Sequence, residues 1–148
     1  MNSNKQGGFL ISQIKQMGGR IFEKILSEKG IDAFNGAQGR ILYILWQNES
    51  IPITELSEKT GLAKTTLTSM LDRLEVLGLV QRVFDKTDRR RILITLSEKA
   101  RELQNEYDGV SEKMNEIYYQ GFSDEEISQF ESYLLRILEN LKGGNYNE

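Results

Sequence analysis

Apolar residues recur along this chain at two spacings, and each spacing predicts an element. Leu10, Ile14, Met17, Ile21 and Ile25 lie four, three, four and four residues apart, one face of a helix over residues 9–28. Lys29 sits in its last turn and Gly30 is its stop. Ile41, Leu42, Leu45 and Trp46 mark a second helix over residues 35–47, with Asn35 as a candidate N-cap. Ile51-Pro52-Ile53 is long enough only for an edge strand, where proline is tolerated.

The period then changes twice. Thr54 is a candidate N-cap for a short helix over residues 55–59, and Thr60-Gly61-Leu62 breaks it. Another helix is predicted over residues 64–77, with Leu67, Met70, Leu71 and Leu74 as its inward stripe and Gly78 as a left-handed C-cap residue. Two helices joined by a glycine-containing turn form a helix-turn-helix pattern. Residues 79–84 and 91–96 are rich in Val, Ile, Leu, Phe and Thr, and residues 85–90 join them. That is a β-hairpin with a charged tip.

Helical spacing returns after Ser97, a good N-cap. Ala100, Leu103, Tyr107, Val110, Met114 and Ile117 follow on one face of a single helix of about 22 residues, a rod of roughly 33 Å. Ser123-Asp124-Glu125-Glu126 is a capping box that opens a last helix carrying Ile127, Phe130, Leu134, Ile137 and Leu141. Gly143-Gly144 end it, and the tail beyond is expected to fray. The expected fold is mainly α with a small β-wing. A winged helix-turn-helix core over residues 35–96 is flanked by helical regions, 1–34 and 97–148.

Composition removes whole classes of chemistry. The chain has no histidine and no cysteine, which excludes His-based triads, thiol nucleophiles, disulfides and most zinc and haem sites. Neither a P-loop nor a dinucleotide fingerprint is present, and no enzyme or cofactor is expected. No apolar run is long enough for a membrane span, and the N-terminal residues lack a signal-peptide core, so a cytoplasmic location and no membrane partner are expected.

Charge changes the picture more. The net charge of −3 hides an asymmetry: residues 1–53 carry +2, residues 54–96 carry +2, and residues 97–148 carry −7. Lys86-Thr87-Asp88-Arg89-Arg90-Arg91 packs four cations into six residues. On the helix over 64–77 the outward side shows Lys64, Thr65, Thr66, Thr68, Ser69, Asp72 and Arg73. Short hydroxyl side chains and a few cations suit a major groove, where they meet base edges and phosphates. Any water-exposed helix has a polar face, and a short basic run is commonly just a solvated loop. The two together, with the hairpin directly after the helix, form a winged helix. Its helix is then expected to enter a major groove while Arg89, Arg90 or Arg91 reaches the adjacent minor groove. Asp88 fits beside phosphates if its carboxylate pairs with Arg90 and aims that guanidinium.

Residues 54–96 resemble the winged-helix core of the multiple-antibiotic-resistance regulator (MarR) family. The resemblance rests on residues 54–62, on Lys64-Thr65-Thr66-Leu67-Thr68, on Leu71-Asp72-Arg73-Leu74-Glu75, on Gly78-Leu79-Val80 and on Asp88-Arg89-Arg90-Arg91. The last is similar to the family's Asp-x-Arg wing motif, which implies Arg90 as the minor-groove arginine and Asp88 as its brace. Ser69 stands where many members carry a longer basic residue, and Ala100 replaces a common glycine.

The apolar faces of the terminal helices need partners. The reading preferred here is a homodimer that presents two heads to half-sites about one helical turn apart, roughly 34 Å. The resemblance implies the same dimer. It also implies a pocket for a small aromatic or phenolic effector, for which Met17, Arg20, Ile21, Tyr43, Trp46 and Tyr107 are the candidates. The expected function is a sequence-specific, double-stranded-DNA-binding transcriptional regulator, a repressor released by an effector. The alternative is a winged helix that binds protein rather than DNA. The scarcity of large anchor side chains on the 64–77 helix speaks against it.

Overall fold

The computed structural model describes residues 4–144; residues 1–3 and 145–148, with the tail expected to fray, lie outside the described residues. The order is α1 (Gly7–Glu28), α2 (Gly36–Gln47), β1 (Ser50–Pro52), α3 (Ile53–Thr60), α4 (Lys64–Val76), β2 (Val80–Phe84), β3 (Ile92–Leu96), α5 (Glu98–Glu102), α6 (Gln104–Tyr118) and α7 (Asp124–Lys142). The architecture is the expected one, mainly helical with a small antiparallel sheet in the order β1-β3-β2.

Local chemistry accounts for most boundaries. Asn35 caps α2 in a full capping box: its side chain accepts from the Gln38 N–H at 2.8 Å, and Gln38 accepts from the Asn35 N–H at 3.0 Å. Ser123 does the same for α7 with Glu126. Gly61 ends α3 at φ 76°, and Gly78 follows α4 at φ 75°. Both occupy left-handed conformations that a Cβ would strain. The proline falls on the edge strand β1, where its missing N–H interrupts no inner ladder.

Two expectations need correction. Thr54 is not an N-cap: α3 starts one residue earlier at Ile53, with Pro52 as the extended cap residue and no side-chain cap bond. Proline tolerates this place because its fixed φ of −66° suits a helix entry. The long rod after Ser97 is not one helix either. It breaks at Leu103 into α5 and α6. The Trp46 indole N–H donates to the Ala100 carbonyl at 2.9 Å, and the Leu103 N–H also bonds that carbonyl at 3.1 Å, a tightened i to i+3 turn. A side chain inserted at a helical carbonyl is a recognised cause of such a break.

The chain divides into two compact units at Met114/Asn115, within α6. In the first unit, Leu67, Leu71 and Leu74 of α4 are fully buried with Ile41, Leu42 and Leu45 of α2, Leu56 of α3, and Leu79, Val80 and Ile94 of the wing. Each such side chain contributes about 1.5–3 kcal/mol when taken out of water. This core fixes α4 and the hairpin in one body. In contrast, Leu10, Ile14 and Met17 of α1 stay exposed, and only Ile25 and Leu26 among its apolar residues are buried. In the second unit, α7 buries no residue fully, and Phe130, Ile137, Leu138 and Leu141 are exposed. Tyr119 there donates its hydroxyl proton to Glu131 at 2.7 Å. Burial first, then this bond, pushes the phenol up to about 12.

Candidate nucleic-acid interface

The turn before α4 is held by side chains. The Ser57 hydroxyl donates to the Leu62 carbonyl at 2.6 Å, and the Thr60 hydroxyl donates to the Leu56 carbonyl at 2.7 Å. The backbone then enters α4 at Ala63 without a side-chain cap. Because Leu67, Leu71 and Leu74 point inward, helical periodicity drives Lys64, Thr65, Thr66, Thr68, Ser69 and Arg73 outward, and all six are exposed. The predicted helix residues thus share an open surface.

The wing residues are also together. The loop between β2 and β3 is closed by the Asp85 N–H to the Arg91 carbonyl at 3.0 Å and by the Arg91 N–H to the Asp88 carbonyl at 2.9 Å. Asp85 accepts from the N–H and hydroxyl of Thr87, at 2.9 and 2.8 Å, which holds its carboxyl below the ordinary range. Asp88 accepts from the Arg90 Nε at 3.1 Å and from the Arg90 N–H at 3.0 Å. The Arg90 side chain first, then its N–H, lowers the Asp88 pKa. The expected Asp88–Arg90 pair is therefore present. Arg90 Nη2 also donates to the other Asp88 oxygen at 3.4 Å, so two nitrogens of the guanidinium are aimed by one carboxylate while the side chain stays 91% exposed. Arg91 faces Asp85 at 3.6 Å, and Arg89 is exposed.

One residue of this surface was not among the sequence candidates. Arg82 of β2 makes ion pairs of 2.8 Å with both Asp72 and Glu75 of α4. The signal available was a lone cation in the strand Val80-Gln81-Arg82-Val83-Phe84, directly after a helix that carries Asp72 and Glu75.

The effector candidates divide. Tyr43, Trp46 and Tyr107 come together: the Tyr107 ring lies 5.8 Å from Tyr43 and 5.1 Å from Trp46, centroid to centroid. Phe22 and Phe34 complete the cluster at 6.0 and 5.9 Å from Tyr107, and neither was anticipated. Gly39 allows the approach, since a Cβ there would stand 2.9 Å from the Tyr107 ring and 3.2 Å from Phe34. Burial raises the Tyr107 pKa. Met17, Arg20 and Ile21 lie exposed on α1 instead.

Comparison with known proteins now bears on this geometry. The chain matches the MarR family over residues 34–92, which takes in α2, the helix-turn-helix and most of the wing. It is 32% identical over 104 residues to the organic hydroperoxide resistance transcriptional regulator of Bacillus subtilis, covering 70% of this chain and 69% of that protein. The chain belongs to the MarR family. MarR-family proteins are DNA-binding transcriptional regulators, not enzymes, and this chain takes its place among them. Among six such relatives its alignments take in 35% to 69% of their length. A mutant MarR from E. coli, solved in complex with operator DNA, superposes with a TM-score of 0.78 at 25% identity, over 88% of this chain and 92% of that one. CouR from Rhodococcus jostii, solved bound to p-coumaroyl-CoA, gives a TM-score of 0.77 at 25% identity, over 91% and 95%. No helix among the described residues is long and apolar enough to cross a membrane.

Proposed function

We propose that this MarR-family chain is a homodimeric repressor that reads a pseudo-palindromic operator and leaves it when a small aromatic molecule binds. The observation that carries the reading is Arg90, braced by Asp88 with its tip exposed, beside a helix face of short polar side chains. Lys64, Thr65, Thr66, Thr68, Ser69 and Arg73 of α4 contact the major groove. Arg90 enters the neighbouring minor groove, with Arg89 and Arg91 at its phosphates.

In this reading residues 35–96 are the reading head, and residues 1–34 and 97–148 form the dimer. The exposed apolar positions of α1 and α7 support it, because monomers rarely leave such faces uncovered. The Tyr43–Trp46–Tyr107 cluster is the core of the effector region, and the exposed Met17, Arg20 and Ile21 of α1 join it only once the effector is bound; the p-coumaroyl-CoA complex of CouR supports an aromatic ligand. The effector acts by binding one spacing of the heads better than the other, which shifts the population away from DNA.

Selection from random duplexes tests the operator. A two-fold symmetric winner with half-sites about one turn apart is the expected result. An asymmetric winner or no enrichment overturns the dimeric reading.

A further inference from the structure

The polar stripe of α4 does not end where its hydroxyl groups end. Thr65, Thr68, Asp72 and Glu75 succeed one another at spacings of three, four and three, so they share one line along the helix. A groove-reading face therefore runs on into two carboxylates, whose side chains are 64% and 45% exposed. Next to a phosphate backbone each of them is repelled. Over Lys64–Val76 two cations meet two anions, so α4 alone brings no net attraction to DNA.

Arg82 changes this. Its Nη2 lies 2.8 Å from Asp72 Oδ1 and its Nη1 lies 2.8 Å from Glu75 Oε1. Nη2 also points at the Thr68 carbonyl, 3.4 Å away. One planar guanidinium thus spans both carboxylates, a fork that a lysine ammonium does not reproduce. The side chain is only 24% exposed and both terminal nitrogens are engaged, so Arg82 is not itself a phosphate contact. It is also two residues from Phe84, the last residue of β2 before the wing loop.

We propose that Arg82 is a positioning residue for DNA binding, one that holds Asp72 and Glu75 off the phosphates and offsets one of their two negative charges. It acts through those carboxylates and not by touching DNA. This rests on the DNA-reading function proposed above.

The test uses full-length protein and the duplex that wild type selects from a random pool. Affinities are measured for wild type, Arg82→Met, Arg82→Lys, Arg90→Ala and the triple variant Arg82→Met/Asp72→Asn/Glu75→Gln. Arg82→Met is expected to bind about tenfold more weakly at about 0.05 M salt, a deficit that narrows as salt screens the freed carboxylates. Arg82→Lys is expected to fall between Arg82→Met and wild type. The triple variant, which has no exposed anion left on that line, is expected to return to within about threefold of wild type. A purely structural Arg82 gives no such rescue and no salt signature. If Arg82→Met misfolds, the triple variant alone decides. A triple variant as weak as Arg82→Met, or an Arg82→Met indistinguishable from wild type, overturns the proposal. If wild type binds and Arg90→Ala weakens it, that failure is confined to Arg82. If wild type enriches no duplex, the DNA-reading function falls and this role falls with it.

Discussion

Asp88 and Arg90 show how a residue unsuited to an anionic partner becomes useful there. The pair is exposed, and exposed ion pairs contribute little to stability. Its consequence is orientation: the backbone N–H, Nε and Nη2 of one arginine all donate to one carboxylate. Because the folded pKa of Asp88 is lowered, the ionised form is favoured above the ordinary value of 3.8, and what it contributes is lost as pH falls through the lower folded value. The brace is therefore intact at neutral pH. An NMR titration of the Asp88 carboxyl is expected to show a midpoint below 3.8 in wild type and a return toward it in Arg90→Ala. An unchanged midpoint contradicts the brace. At this scale the sequence was readable where charge and spacing coincide, as at Asp88 and Arg90. It carried only a faint signal for Arg82, whose partners lie seven and ten residues away on a different element.

Elements were legible wherever a short-range rule sets them. Asn35, Ser123 and Gly78 each mark a boundary through local chemistry, and Leu67, Leu71 and Leu74 of the α4 stripe are buried as its spacing predicts, with Met70 only partly so. The break between α5 and α6 was not legible. Ala100, Leu103 and Tyr107 keep helical spacing across it, and the residue that causes it, Trp46, is 54 positions from Ala100. Long-range hydrogen bonds leave no trace in periodicity. Trp46→Phe keeps an aromatic ring beside Tyr107 and removes the donor. The expected loss is about 1 kcal/mol in denaturant unfolding, with α5 and α6 free to join. A variant as stable as wild type contradicts the assigned cause of the break.

For the whole molecule, the uneven charge and the open apolar faces belong together. The net −7 of residues 97–148 disfavours those residues as a DNA surface, while their apolar positions ask for a protein partner. Ile14 of α1 is 49% exposed and Leu141 of α7 is 64% exposed, so a charge at either is tolerated by the isolated chain. Ile14→Glu and Leu141→Glu are expected to shift a dimer toward monomer in sedimentation velocity and to weaken operator binding by at least about tenfold, as one reading head loses the other's contacts. Dimeric variants with full affinity contradict a dimer built on these faces.

The central claim is that Arg90, aimed by Asp88, is a direct DNA contact. Titration of wild type and Arg90→Ala against the selected duplex at several salt concentrations tests it most directly. The predicted result is weaker binding by Arg90→Ala with a shallower dependence on salt, because fewer phosphate counterions are released. Equal affinity and equal salt slopes would contradict the claim.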